Sequence, residues 1–445
     1  MNKRRVIFIE SQVTTRDLDS RILLAYRFAS EGYEVYLGRN KGVLRASAVA
    51  SNGVMYFADN FTDIAGQGFD RIKRNENLIF AVDEESIAYD DPEIYSLTRV
   101  SCRAINLATN VFATNDIHKS VIHSYCNEIS LSEKVVTTGL PRFDLLTHKY
   151  RGIYDRPVDA LRRRYGKFIL VTSHGVINNK DIIDKELGKL RKKYQEKFNH
   201  KLSDEDLARI GTGMLENSDL HAQFFRDLLE VICRLPMKHT FVVRPKGDES
   251  AEKIENAIGK KIPRNMVFDS SYNIQPWVLA ADAMVHCNSG SGVDGYMAGI
   301  PVIMYKPAGT RYKYYSPTPT SVSHVLDSKN DLEEALSAVL RGELSGVRDS
   351  DMVVNKTKMA TDQIFRVIDS RSDGLSVNVV NAKKSFFREL NSFSYEFFRR
   401  KNKGGNIKLS YVVGMFHKIQ ELSADKRDYK IEWLGDELIM IVKAE

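Results

Sequence analysis

Short apolar runs, each followed by a helical stretch, recur from the first ten residues of this chain. A parallel sheet covered by helices is the architecture that accommodates such an order. Val6-Ile7-Phe8-Ile9 reads as a buried strand, and after a polar loop Leu18, Ile22, Leu23, Tyr26 and Ala29 keep helical spacing up to Gly32. Glu34-Val35-Tyr36-Leu37-Gly38 begins the next strand. The alternation continues at Val54-Met55-Tyr56-Phe57, Leu78-Ile79-Phe80-Ala81-Val82, Asn110-Val111-Phe112-Ala113-Thr114 and Lys134-Val135-Val136-Thr137. These runs make one Rossmann-like domain over residues 1–150. The basic stretch from Thr147 to Lys167, with Arg162-Arg163-Arg164, reads as a linker. A second Rossmann-like domain, 151–371, opens at Phe168-Ile169-Leu170-Val171-Thr172. It continues at Thr240-Phe241-Val242-Val243-Arg244, Met266-Val267-Phe268-Asp269, Ala283-Met284-Val285-His286 and Pro301-Val302-Ile303-Met304-Tyr305. The polar insert from Lys180 to Asn217 predicts exposed helices, and no solenoid-length repeat is present.

At 445 residues the chain is too long for one ordinary core, which fits two domains and an extension, 372–445. Hydrophobic residues at 43% and charged residues at 28% exclude a disordered or fibrous chain. A net charge of +7 is small enough to come from local patches, so no nucleic-acid partner is expected. Cys102, Cys126, Cys233 and Cys287 are scattered without a C-x-x-C pair, which predicts reduced, mostly buried thiols rather than a zinc site or disulfides. The first apolar run stops at Glu10, too soon for a signal peptide, and no run reaches the ~18 residues of a spanning helix. The expected location is the cytoplasm.

Ligands of open α/β sheets gather beyond the carboxyl ends of the strands. After the strand ending at His286 comes Cys287-Asn288-Ser289-Gly290-Ser291-Gly292, then Val293-Asp294-Gly295 opening a helix. Free amides at such a turn point at an anion, glycines allow a phosphate close to the backbone, and Asn288, Ser289 and Ser291 add polar groups. Asp294 suits a ribose hydroxyl. The same residues also suit a plain helix cap. Arg244 and Lys246 leave another strand end and would neutralise a phosphate. Asp83, Glu84 and Glu85 follow Val82. Crowded carboxylates raise one another's pKa and make a base or a nucleophile, although a helix amino terminus also favours acids. Gly139 and Arg142, in Thr138-Gly139-Leu140-Pro141-Arg142-Phe143-Asp144, and His174 and Asn178, in Ser173-His174-Gly175-Val176-Ile177-Asn178, are expected to border an interdomain cleft. Glu10 and Arg16, after the first strand, are expected on its other wall, with an ion pair inside the domain as the alternative.

Beyond Ser372, Lys383-Lys384-Ser385-Phe386-Phe387-Arg388 and Tyr395-Glu396-Phe397-Phe398-Arg399-Arg400-Lys401 pair phenylalanines with cations. Such a segment suits either an interfacial helix on anionic lipid or a helix packed on a neighbouring domain. Tyr429 to Leu434 and Glu437 to Val442 flank Gly435-Asp436 as a hairpin.

In order, these segments resemble bacterial surface-carbohydrate biosynthesis proteins of the GT-B glycosyltransferase architecture, from about residue 5 to about residue 310. The resemblance rests on Ile9-Glu10, Arg16-Asp17-Leu18-Asp19, Asp83-Glu84-Glu85, Gly139 to Asp144, Arg244-Pro245, and Trp277 to Asp282 leading into the Ser/Gly turn. The acidic trio, the Arg-Pro pair and the serines are similar to the D/E-D/E-G, His-Pro and Ser motifs of transferases that use CMP-sialic acid or CMP-Kdo. Ser86 replaces the glycine, Lys246 stands near the place of the histidine, and Asp294 replaces the usual Glu, shortening its reach by one methylene. The resemblance implies two Rossmann-like domains facing across a cleft, the second holding a nucleotide-sugar donor and the first a glycan acceptor. Asp83, Glu84 or Glu85 would supply the acid/base group, with the donor on Arg244, Lys246, Asn288, Ser289, Gly290, Ser291, Asp294 and His174. Neither metal nor cofactor is implied, since Arg244, Lys246 and helix amides supply positive charge. The implied product is lipopolysaccharide O antigen or capsule, made at the inner face of the cytoplasmic membrane. A nucleotide-sugar epimerase, a CDP-polyol phosphotransferase and a non-catalytic assembly subunit share the same features.

Overall fold

The computed structural model describes residues 3–49, 53–73, 76–89, 91–126, 133–172, 180–198, 202–236, 239–245, 249–347, 350–373, 375, 377–378, 407–435 and 438–444. The chain divides into two compact units, one of Met1–Ser86, Ser96–Ile153 and Val353–Glu445, the other of Ile87–Tyr95 and Tyr154–Met352. Each is built on a sheet whose parallel strands alternate with helices.

In the first unit the strands are β1 (Val6–Ser11), β2 (Glu34–Arg39), β3 (Met55–Ala58), β4 (Leu78–Val82), β5 (Asn110–Ala113) and β6 (Val135–Thr137). They pair in parallel in the order β2-β1-β3-β4-β5-β6. Strands covered on both faces need continuous apolar runs, and β1 is buried along all of its length. The helix Leu18–Ser30 is buried on nearly every side and stops before Gly32, whose φ of +84° favours glycine. Chain from far beyond explains that burial. Phe28 meets Phe365 of the helix Ala360–Arg371 at 5.2 Å, and Tyr26 meets Phe416 of the helix Leu409–Leu422 at 5.4 Å.

The helix Ala360–Arg371, which the sequence placed in the second domain, therefore packs on the first unit. Asp144 holds its amino terminus by accepting from the amides of Ala360 and Thr361 at 3.0 and 2.7 Å and from the Thr361 hydroxyl at 2.7 Å. These donors need an anion at the helix start. Asn355 donates to Asp144 at 2.6 Å and to the Leu140 carbonyl at 2.9 Å. Gly139, at φ +80°, leaves no room for a Cβ against the Asn355 amide. The Gly139–Asp144 segment thus anchors this helix, and the hairpin at the carboxyl terminus adds two strands to the sheet of the first unit. Tyr429–Gly435 pairs antiparallel with Leu438–Lys443, which pairs antiparallel with β2 through Ile439 opposite Leu37 and Met440 opposite Tyr36.

In the second unit β7 (Phe168–Thr172), β8 (Thr240–Arg244), β9 (Met266–Phe268), β10 (Ala283–His286), β11 (Val302–Tyr305) and β12 (His324–Leu326) form a six-stranded parallel sheet. The spatial order is β9-β8-β7-β10-β11-β12. The helix Asp204–Ile232 is started by a reciprocal cap between Ser203 and Asp206 and lays Phe224, Phe225, Leu228 and Ile232 on Val171, Val243 and Val285. Each such side chain contributes roughly 1.5–3 kcal/mol. The stretch expected as a linker contains the helix Asp155–Tyr165, because Val158 and Leu161 on one face are buried.

The expectation of four reduced cysteines is corrected. Cys102, which opens the helix Cys102–Leu107, is bonded to Cys126, which ends the helix Asp116–Cys126, with Cα atoms 5.4 Å apart. Their separation of 24 residues hides the proximity, which β5 creates by returning the chain between the two helices. Cys233 and Cys287 are not disulfide-bonded, and the Cys287 sulfur lies 3.1 Å from His221 Nδ1. Among the described residues no helix is long and apolar enough to cross a membrane. The phenylalanine-cation segment, 383–401, lies outside the described residues.

Candidate functional site

In each sheet the first strand has its sequence successor on one side and a later strand on the other. Ligands bind above such reversal points, beyond the strands' carboxyl ends. In the second unit the reversal lies between β7 and β10. There Thr172, last residue of β7, accepts from the Ser291 hydroxyl at 3.0 Å, and the Ser291 and Ser289 hydroxyls lie 2.7 Å apart. Ser291 starts the helix Ser291–Ala298, whose first amides donate back to the turn, Ser291 to the Ser289 hydroxyl at 3.3 Å, Gly292 to the Ser289 carbonyl at 3.0 Å and Val293 to the Gly290 carbonyl at 3.1 Å, so it is the three hydroxyls that gather at the helix start.

The turn is held from beneath. His286 is buried, its Nδ1 accepting from the Ser289 amide at 3.0 Å and its Nε2 lying 3.1 Å from the Ser323 hydroxyl. Ser323 donates its own proton to the Pro319 carbonyl at 2.7 Å, which assigns the histidine proton to Nε2. A Cβ on Gly292 would meet that Nε2 at 2.6 Å. Gly292→Ala is therefore expected to cost about 1–3 kcal/mol by overpacking, read as a lower urea midpoint, whereas an unchanged midpoint would mean that the helix seats less tightly.

Asn288, at φ +85°, is committed to the fold: it donates to the Tyr312 hydroxyl at 2.8 Å and accepts from the Ser316 amide at 2.8 Å. Arg244, at the end of β8, is half-buried and donates to the Tyr272 carbonyl at 3.4 Å. Burial pushes its pKa down, and the charge of the buried Asp294 pushes the other way, which brings these two groups into one field. His174, Asn178 and Lys246 lie outside the described residues.

In the first unit the reversal lies between β1 and β3. Glu10 near the end of β1, Asp59 after β3, and Asp83 and Glu84 after β4 are all buried there. Arg21, fully buried, donates to the Glu10 carbonyl at 3.1 Å, pairs with Glu84 at 3.1 Å and lies 4.9 Å above the Phe57 ring. Tyr56 donates to Glu10 at 2.7 Å. Asp17 accepts from the Ser11 hydroxyl at 2.7 Å and the Val13 amide at 3.1 Å. Asp83 to Ser86 form a turn rather than a helix start. Asp83 takes Arg99, and Glu85, with half its side chain exposed, is gripped by Arg16 at 2.6 Å and Arg99 at 3.3 Å.

Burial raises the Asp59 pKa well above the ordinary carboxylate value, helped by the charges of Glu10 and Asp17 and opposed by Arg21. A group whose pKa is raised on folding adds stability below its unfolded pKa, about 4, and that stability is lost as pH climbs through the folded value. Urea midpoints should accordingly fall with pH above about 4, and Asp59→Asn should remove much of the fall. Part would remain in the variant, since burial also brings Asp144 to about 6 despite its helix-cap hydrogen bonds. An identical slope in wild type and variant would show that Asp59 ionises as an ordinary acid.

No family model matches the chain, and no curated protein matches it significantly. Among solved structures, the UDP-GlcNAc 2-epimerase of Methanocaldococcus jannaschii is 10% identical, with a TM-score of 0.51 over 82% of this chain and 99% of that one. The UDP-GlcNAc 2-epimerase of Neisseria meningitidis, bound to UDP-GlcNAc, is 11% identical with a TM-score of 0.50, over 82% of this chain and all of the other. The chain has the GT-B fold. Identities so low speak for the fold alone.

Within this GT-B chain the predicted residues fall into distinct places. Ser289, Gly290, Ser291, Arg244 and Asp294 meet at the carboxyl end of the second sheet. Glu10, Arg16, Asp83, Glu84 and Glu85 meet at that of the first. Gly139 is engaged with Asn355, and Arg142, largely buried, lies 4.7 Å from the Phe143 ring. Thr172 and Asp59 belong to no motif that the sequence singled out, although both are polar residues at strand ends. Arg21 and Arg99 sit in helices and carry no comparable signal.

Proposed function

We propose that the protein is a glycosyltransferase that moves a sugar from a nucleotide-activated donor to a bacterial surface glycan of the lipopolysaccharide or capsule class. The observation that carries this reading is the convergence of Thr172, Ser289 and Ser291 on the amino terminus of the helix Ser291–Ala298, at the reversal point of the second sheet. Hydroxyls gathered at the positive end of a helix suit a phosphate. Arg244 offsets the charge that grows on the departing nucleotide, and Asp294 accepts from the ribose.

In the first unit Glu85 is the member of the acidic trio that reaches solvent, directed by Arg16 and Arg99. It takes the proton of the acceptor hydroxyl as that oxygen bonds the anomeric carbon, while the nucleotide leaves with the electron pair of the broken bond. Glu84, closed on Arg21, orients the turn. The finer reading is a CMP-activated ulosonic acid such as CMP-Kdo as donor, with CMP released. The same proposal locates the chain in the cytoplasm, against the inner face of the membrane through the cationic, phenylalanine-rich part of residues 372–445.

The solvent-reaching Glu85 among the carboxylates crowded at the end of the first sheet favours a second reading, a nucleotide-sugar epimerase, because moving a proton at a sugar carbon needs a base and an acid but no acceptor. UDP-GlcNAc 2-epimerase activity of the two similar structures belongs to this reading. A thermal-shift panel of CMP, CDP, UDP and GDP sugars, followed by product analysis with and without acceptor glycan, separates the two. A bound CMP sugar, and transfer that is lost in Glu85→Gln, are the expected results. Conversion of a nucleotide sugar without acceptor selects the epimerase. Absence of any nucleotide-sugar binding overturns both.

A further inference from the structure

The eight-stranded sheet of the first unit ends on the strand Tyr429–Gly435, which has one neighbour in the sheet among the described residues. At seven residues it is a long edge, against three residues at the opposite edge, β6. Edge strands invite pairing unless something blocks them. Trp433 on this strand is 41% exposed, although Trp is a costly residue to leave in water.

The order of residues on the strand is self-complementary. A second copy pairing antiparallel about a two-fold axis must place one residue opposite itself, because paired side chains share a face of the sheet. With Ile431 on the axis, Lys430 faces Glu432 of the second copy, twice, and Tyr429 faces Trp433, twice. Moving the axis to Lys430 or Glu432 sets like charges directly opposite, which is unfavourable. Of the registers centred on residues 430–432, the Ile431 register matches both the charges and the aromatics of this stretch. Tyr429 already packs on Phe416 at 5.1 Å, so the indole of the second copy would join an existing aromatic cluster on that face.

We propose that this strand is a homodimer interface, two copies joining antiparallel through residues 429–433 centred on Ile431. Opposite-charge and aromatic cross-strand pairs set the register, and the backbone groups of the edge supply the hydrogen bonds.

Lys430 and Glu432 also pair within the chain, at 2.6 Å, so the test has to separate contacts within one copy from contacts between copies. Mixing does so. In the full-length chain Lys430→Glu alone sets acids opposite acids, and Glu432→Lys alone sets lysines opposite lysines, whereas a mixture of the two variants pairs acid with lysine at both positions. Sedimentation equilibrium should show a wild-type dimer, a dissociation constant raised about tenfold or more in each single variant, and near wild-type association in the equimolar mixture. Tryptophan emission provides a second readout. The chain has two tryptophans and Trp277 is fully buried, so a blue shift with rising concentration reports burial of Trp433. Circular dichroism checks that each variant is folded. A wild-type chain that stays monomeric, single variants that dimerise as tightly as wild type, or a mixture no tighter than its components would each overturn the proposal.

Discussion

Arg21→Met should lower the stability of the protein by about 3–5 kcal/mol, because it strands the Glu84 carboxylate in a place with no access to water. Both side chains are fully buried, and the guanidinium also serves the Glu10 carbonyl. Methionine fills a similar volume beside Phe57, so the loss is electrostatic rather than a cavity. Glu84→Gln alone removes the opposite charge and should be damaging for the same reason. The double variant Arg21→Met/Glu84→Gln removes both charges and should recover a large part of the loss. Urea denaturation of the four proteins measures the cycle. Additive effects in the double variant would show that the two groups are not coupled.

Arg244→Ala should weaken nucleotide-sugar binding about 10-fold to 100-fold, the span expected for one charge-assisted hydrogen bond of about 1.5–3 kcal/mol. Arg244 ends β8 within the field of the Asp294 charge, and in the proposed function its guanidinium meets the donor phosphate. Calorimetric titration at low and high salt is the measurement. Wild-type affinity should fall with salt, and the variant should show less of that fall. Equal affinities would remove Arg244 from the donor site. The thermal midpoint of the free protein is the control, since truncation also exposes Asp294 to a less balanced field.

The strand-helix alternation was legible because each step has a local cause. Apolar runs such as Val6 to Ile9 can be buried on both faces only in a parallel sheet, and Gly32 marks a helix end through its own backbone preference. The same local logic found Ser289, Ser291 and Arg244, which stand where strands stop. It also found the carboxyl-terminal hairpin, but the place of that hairpin beyond β2 depends on an edge that exists only once the first sheet is assembled.

The roles of single polar residues were less legible. Asp144 sits in a motif expected to border a cleft, and it caps a helix more than two hundred residues away. Glu84 and Glu85 are neighbours of the same type, yet one is sealed against Arg21 and the other reaches solvent. Cys102 and Cys126 carry no spacing signature and are nevertheless bonded.

Periodicity and turn chemistry act over a few residues, so the amino-acid order alone settles the α/β class, most strand positions and the Ser/Gly turn at the end of β10. Which charges are paired, which acid keeps its proton and which edge stays open depend on desolvation and on partners distant along the chain. Those terms arise only when packing brings the partners together, and the Ser/Gly turn acquires Thr172 in that way, across the point where the second sheet reverses its order.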